Sequence, residues 1–335
     1  MAWKNLKQKS LADALIVEHA ALTELDDVHA LLDWSKLEAH LMSIHNKAAG
    51  ERDWPPLMMF KALLLQSWYK LSDPQLEKQL ARDLLFRRFV GLGLDQSVPD
   101  HSTLWRFRQK LADGIWDTLL QEINAQLSSQ QLYIKAGEIS IVDASVIQAK
   151  QNRPNKGVDG SSTQDKEAGY NVKTSSDGKR KTTYGYKAHI AVEEDGFIKA
   201  AAFTSGNVHD SKCLVSLLSG TEAAVYADSA YKSEPHDALL ATHGSKNCIL
   251  ERAYRNTPLT DEQKQRNRRH SGIRSIVERV FGVLKLHYGM GQARYLGLVR
   301  NFTRFGLMCI AYNLKRGAAI QRVYRLCRIV AFNSR

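Results

Sequence analysis

"GEISIVDASVIQAK", residues 137–150, marks a change of period in the chain. Its apolar side chains are largely β-branched and partly alternate, which predicts a strand with Asp143 near the end of the apolar part. Upstream, to about residue 130, the periodicity is helical. "WPPLMMFKALLLQSWYKL" (54–71) opens a helix after its prolines. "SDPQLEKQLARDLLFRRFVGLGL" (72–94) has Asp73 as the expected N-cap, Pro74 at the first helical position and Gly91/Gly93 as the stop. "VPDHSTLWRFRQKL" (98–111) turns on Pro99 and starts a helix capped by Asp100 or Ser102 that carries Arg106, Arg108 and Lys110. Short helices ending in a basic one suit either a helix-turn-helix reader of DNA or a plain bundle with a solvated last helix.

Downstream of the switch, "QNRPNKGVDGSSTQDKEAGYNVKTSSDGKRKTTYG" (151–185) is polar and predicts a long mobile insertion over about 151–184. "YGYKAHIAVEEDGFIKAAAFTSG" (184–206) predicts two strands joined at Asp195-Gly196. A capped helix in "NVHDSKCLVSLLSG" (207–220) follows, then a short strand in "TEAAVYADSAYKS" (221–233) ending at Asp228. "SKNCILERA" (245–253) is a further strand, and the basic stretch "DEQKQRNRRHSGIR" (261–274) leads into the next helix. The order strand, hairpin, helix, strand, helix, strand, helix is that of a ribonuclease H-like fold. The fold class expected is therefore α/β: a mixed sheet flanked by helices, behind an all-α N-terminal domain. The boundaries expected are 1–130 for the helical domain, 131–315 for the α/β domain and 316–335 for a basic tail.

The net charge of +12 is unevenly placed. From residue 251 on there are 18 Lys/Arg against 4 Asp/Glu, whereas the first 250 residues carry 29 against 31. That polarity points to a polyanion, foremost nucleic acid, as the partner of the last third. The longest apolar run, "FGLMCIAYNL", is too short to span a bilayer, so no membrane partner is expected. Cys213, Cys248, Cys309 and Cys327 form no CxxC pair, which predicts reduced, structural thiols and a cytoplasmic location. The six tryptophans all lie in the first 116 residues and are expected in the core, Trp105 beside Arg106 being the exception.

In "RSIVERVFGVLK" (274–285), Ile276, Val277, Val280, Val283 and Leu284 make a core-facing helical stripe. Arg274, Glu278 and Lys285 fall within roughly 40° of one another on an adjoining ridge. A surface ion pair is the bland reading, but the favoured i,i+4 order puts the acid before the base. Asp143 and Asp228 each end an apolar β run, where open sheets gather ligands. With Glu278 they make three carboxylates from separate elements, hard oxygen donors of the kind Mg²⁺ or Mn²⁺ prefers. Packed together without a cation they would repel. Arg274 and Lys285 then suit the phosphates beside a reacting bond.

These residues carry a resemblance. The sequence resembles a bacterial insertion-sequence DDE transposase, nearest to the insertion sequence five family. Arg274, Glu278 and Lys285 match an Arg-x3-Glu-x6-Lys signature. "YADSAYKS" matches the second-aspartate motif, "IVDASVIQAK" resembles the first-aspartate strand, and the helical stretches over 53–80 and 98–111 are similar to that group's N-terminal domain. The resemblance covers about residues 45–315. It departs at Ser271, where the signature has a tyrosine; Tyr231 and Tyr288 are the substitutes at hand.

The resemblance implies a transposase that cuts at transposon ends and joins the 3′-OH to target DNA. It implies Asp143, Asp228 and Glu278 as catalytic residues holding two Mg²⁺, with Mn²⁺ as a substitute. DNA contacts are expected from Arg274, Lys285, Tyr231, Arg106, Lys110 and Arg279. His209 and Asp210 in "NVHDS" are secondary candidates for the site, His209 being read first as a helix cap. His189 is read as a core histidine. The partners implied are double-stranded transposon ends with terminal inverted repeats and target DNA, engaged by a homodimer or larger synaptic complex in a bacterial, nucleoid-associated setting. Two rivals share the residues: a ribonuclease H-fold nuclease without strand transfer, and an inactive DNA-binding repressor.

Overall fold

The computed structural model describes residues 4, 13, 16–44, 53–112, 114–130, 132, 138–150, 165–174, 178–253 and 257–333. The chain divides into two compact units, residues 1–132 with 306–335, and residues 133–305.

The first unit is helical. Its elements are α1 (Asp26–Ala30), α2 (Trp34–Leu41), α3 (Pro56–Trp68), α4 (Asp73–Arg82), α5 (Leu84–Val90), α6 (His101–Lys110) and α7 (Ile115–Ser129). α3 is apolar around almost its whole circumference, and Met58, Met59, Phe60, Leu63, Leu64 and Leu65 are all buried, as a central helix should be. Ser72, not Asp73, caps α4: Ser72 and Gln75 form a reciprocal capping box. That leaves the Asp73 carboxylate free to pair with Arg108, which is 1% exposed and also donates to Gln66. Arg108 is thus a core residue. α5 separates from α4 because Asp83 ends one helix and caps the next. Trp34 and Trp116 are buried, while Trp105 keeps 38% of its surface.

The second unit is built on one sheet. Its strands are β1 (Ile139–Gln148), β2 (Gly169–Thr174), β3 (Arg180–Val192), β4 (Ile198–Ser205), β5 (Ala224–Tyr226) and β6 (Lys246–Asn247), in the order β2-β3-β1-β5-β6 with β4 also on β3. β3 is antiparallel to β1, β2 and β4, while β1, β5 and β6 run parallel. Its helices are α8 (Leu214–Leu217), α9 (Glu234–Thr242), α10 (Asp261–Tyr288) and the start of α11 (Leu298–Asn333). This is the mixed sheet with flanking helices that the sequence predicts, behind a helical N-terminal region. The β3–β4 turn has Gly196 at φ 74, the left-handed conformation its Asp-Gly sequence favours.

Three segments differ from expectation. Part of the polar insertion is a hairpin: β2 pairs with β3 from Gly169↔Gly185 to Thr174↔Arg180. Residues 151–164 and 175–177, the rest of that predicted mobile stretch, lie outside the described residues. The basic stretch 261–274 belongs to α10, whose 28 residues start at a second capping box, Thr260 with Gln263, and stop at Gly289. α11 continues without a break past residue 316, its Arg322 pairing with Asp27 at 2.7 Å. Cys213, Cys248 and Cys309 are buried free thiols and Cys327 is an exposed one. Among the described residues no helix is long and apolar enough to cross a membrane.

Candidate active site

β1 and β5 lie side by side and parallel, with Ile141 opposite Tyr226. Asp143 and Asp228 each sit two residues further along, so one register brings both to the same end of adjacent strands. Asp143 is still within β1, opposite Ile190 of β3. Its side chain is 18% exposed and accepts from the Ala144 N–H at 2.9 Å. Asp228 follows β5 and caps the short 3-10 turn Ser229–Tyr231 through the Ala230 N–H.

α10 supplies the third group. Arg274 Nη2 lies 3.4 Å from Asp143 Oδ2 and 3.2 Å from Glu278 Oε1, so a single guanidinium joins a strand carboxylate to a helix carboxylate. The i,i+4 pair that helix geometry disfavours does form, because Asp143 holds the same arginine from the sheet. Arg274 is 13% exposed and Glu278 59%, which puts Glu278 at the open side. Burial pushes the Asp143 carboxyl above its usual range; Arg274 opposes the shift, while Asp228 and Glu278 add to it. Asp143 therefore feels both other carboxylates.

Asp143, Asp228 and Glu278 fit a divalent cation in kind. They offer hard oxygen donors, and their mutual repulsion is offset by a positive group already among them. As they stand, no three His, Cys, Asp or Glu side chains among the described residues are close enough together to hold one ion. Arg274 would have to release the carboxylates for them to close on a metal.

The other sequence candidates fall in different places. Asp210 pairs with Lys187 Nζ at 2.8 Å, and Lys187 also donates to the Val208 carbonyl. His209 caps the following turn, its Nδ1 2.7 Å from Ser211 Oγ. His189 is fully buried, bonded to Thr204 Oγ1 at 2.9 Å and lowered by burial to about 4. Tyr231 is 1% exposed in the core beside Val142, Leu214 and Val225. Its hydroxyl has no hydrogen-bond partner among the described residues, and burial together with Asp210, Asp143 and Asp228 raises it strongly. Tyr288 is also buried, so neither tyrosine stands at a surface where it would replace the aromatic absent at the exposed Ser271. Lys285 and Arg279 are exposed on α10. In the helical unit Arg106 is exposed and folded back on the Ser102 carbonyl and hydroxyl, and Lys110 is half-buried.

Two family comparisons bear on this arrangement. Residues 12–110 match the family described as Transposase domain (DUF772), and residues 135–314 match the Transposase DDE domain. No solved structure matches the chain.

Proposed function

The chain belongs to the transposase DDE domain family, and from that membership we propose that it cuts DNA at transposon ends and transfers the freed 3′-OH into target DNA. Membership carries a transposase function of the polynucleotidyl-transferase class and binding to transposon-end DNA; transposases of this kind generally use divalent metal ions. The match is to the DDE domain at large and does not single out the insertion sequence five family. The observation that carries the site assignment is the Arg274 guanidinium touching both Asp143 and Glu278. It is supported by the strand register that puts Asp228 level with Asp143.

Asp143, Asp228 and Glu278 are the residues that would hold metal. Bound there, divalent ions would supply activation of the attacking oxygen and stabilisation of the leaving one. Arg274, on leaving its carboxylates, meets a phosphate oxygen with the planar donor pair suited to it, and Lys285 adds a point charge on the same helix ridge. Water attacks the phosphodiester at the transposon end, breaking one P–O bond and releasing the 3′-OH. That hydroxyl then attacks a target phosphorus and displaces the target's own 3′ oxygen. Paired ends require two copies or more of the chain acting together.

The test is purified protein with end fragments and supercoiled plasmid, in Mg²⁺ and in EDTA, beside Glu278→Gln. Metal-dependent joining that Glu278→Gln abolishes, with DNA binding kept, is the expected result. Cutting without joined product would make the protein a nuclease, and binding without either step would make it a repressor.

A further inference from the structure

The hairpin formed by β2 and β3 sets Lys173 directly opposite Lys181. Opposed residues in an antiparallel ladder project from the same face, with Cβ atoms about 4.5–5.5 Å apart, and like charges at such positions destabilise the pair. Both lysines are exposed, and among the described residues neither makes a salt bridge. α10 packs on β3 and brings a third ammonium, Lys285, toward the pair: burial lowers Lys285, the Lys173 and Lys181 charges lower it further, and Asp143 works against the shift. The hairpin segment, residues 169–184, holds four Lys/Arg against one Asp, within a first 250 residues that are otherwise slightly acidic. Three ammonium groups with no salt bridge among the described residues, of which Lys285 feels the candidate catalytic carboxylate Asp143, call for a polyanion. A DNA backbone supplies one at regular spacing.

We propose that Lys173 and Lys181, opposed across the β2–β3 hairpin, form with Lys285 a binding site for the phosphate backbone of the DNA strand entering the Asp143 site. This rests on the transposase reading. The chemistry is shared by transposon-end and target duplex, since phosphates carry no sequence.

The experiment measures full-length protein binding to labelled end duplex, and to an unrelated duplex of equal length, over a range of KCl with EDTA present. The wild type is compared with Lys173→Gln/Lys181→Gln and Lys173→Arg/Lys181→Arg. For the glutamine pair, the slope of log affinity against log salt should shrink by about two, equally on both duplexes. The arginine pair should keep the wild-type slope. The glutamine pair should melt no lower than wild type, because a like-charge contact has been removed. An unchanged slope in the glutamine pair, a loss confined to the end sequence, or a lowered melting temperature with the slope intact would overturn the hairpin site. If that happens while the wild type still binds and joins ends, only the hairpin site falls. A wild type that binds neither duplex would overturn the transposase reading with it.

Discussion

Arg108 and His189 show what single residues cost and supply in this chain. Arg108 is buried against Asp73 and Gln66 in the helical unit. Removing one partner of such a pair strands the other, typically at about 3–5 kcal/mol. Arg108→Met should therefore lower the urea midpoint strongly, and Arg108→Met with Asp73→Asn should recover much of the loss. A double variant as unstable as the single one would contradict the pairing. His189 titrates at about 4 in the fold because burial disfavours its charge, against 6.5 when exposed. Its contribution is full above pH 6.5 and is lost as pH falls toward 4, since the unfolded chain then binds the extra proton. Between pH 7.5 and 5 that amounts to about 2 kcal/mol. Urea unfolding at both values should show a smaller pH dependence in His189→Gln than in wild type; equal dependences would refute it.

At the scale of elements, the sequence predicts most of what the structure contains, and the exceptions have physical reasons. β1, the β3–β4 hairpin and the strand before Asp228 were legible from apolar runs and an Asp-Gly turn. The β2–β3 hairpin was not, because β2 and the start of β3 are largely polar, although the Asp-Gly pair at 177–178 in the sequence was a usable signal. Half of α10 was hidden in a basic stretch without an apolar stripe; Thr260 and Gln263 marked its true start. Of the proposed site, the three carboxylates were readable from their positions at strand ends and on the helix ridge. The bridging by Arg274 was not, since it needs the sheet and helix brought together. Packing adds a test in α11, where a Cβ at Gly306 would strike the Trp116 ring. Gly306→Ala should cost about 1–3 kcal/mol through overpacking, read as a lower thermal midpoint. A variant as stable as wild type would contradict that close contact.

Over the whole molecule, charge is unevenly sorted along the chain, with 18 Lys/Arg against 4 Asp/Glu from residue 251 on and 29 against 31 before it. Within the second unit α10 has a basic N-terminal half and a C-terminal half that brings Glu278 toward Asp143 through Arg274. The proposed site needs Asp143, Asp228 and Glu278, from two strands and a helix, to close on divalent metal together. Iron(II) loaded in place of Mg²⁺, with peroxide, cuts a polypeptide backbone near the bound ion, and the fragments can be sized by mass spectrometry. Cuts should cluster near residues 143, 228 and 278 together, be suppressed by excess Mg²⁺ and be lost from all three segments in Asp143→Asn. Cleavage at only one of the three segments, or a pattern unchanged in Asp143→Asn, would contradict it.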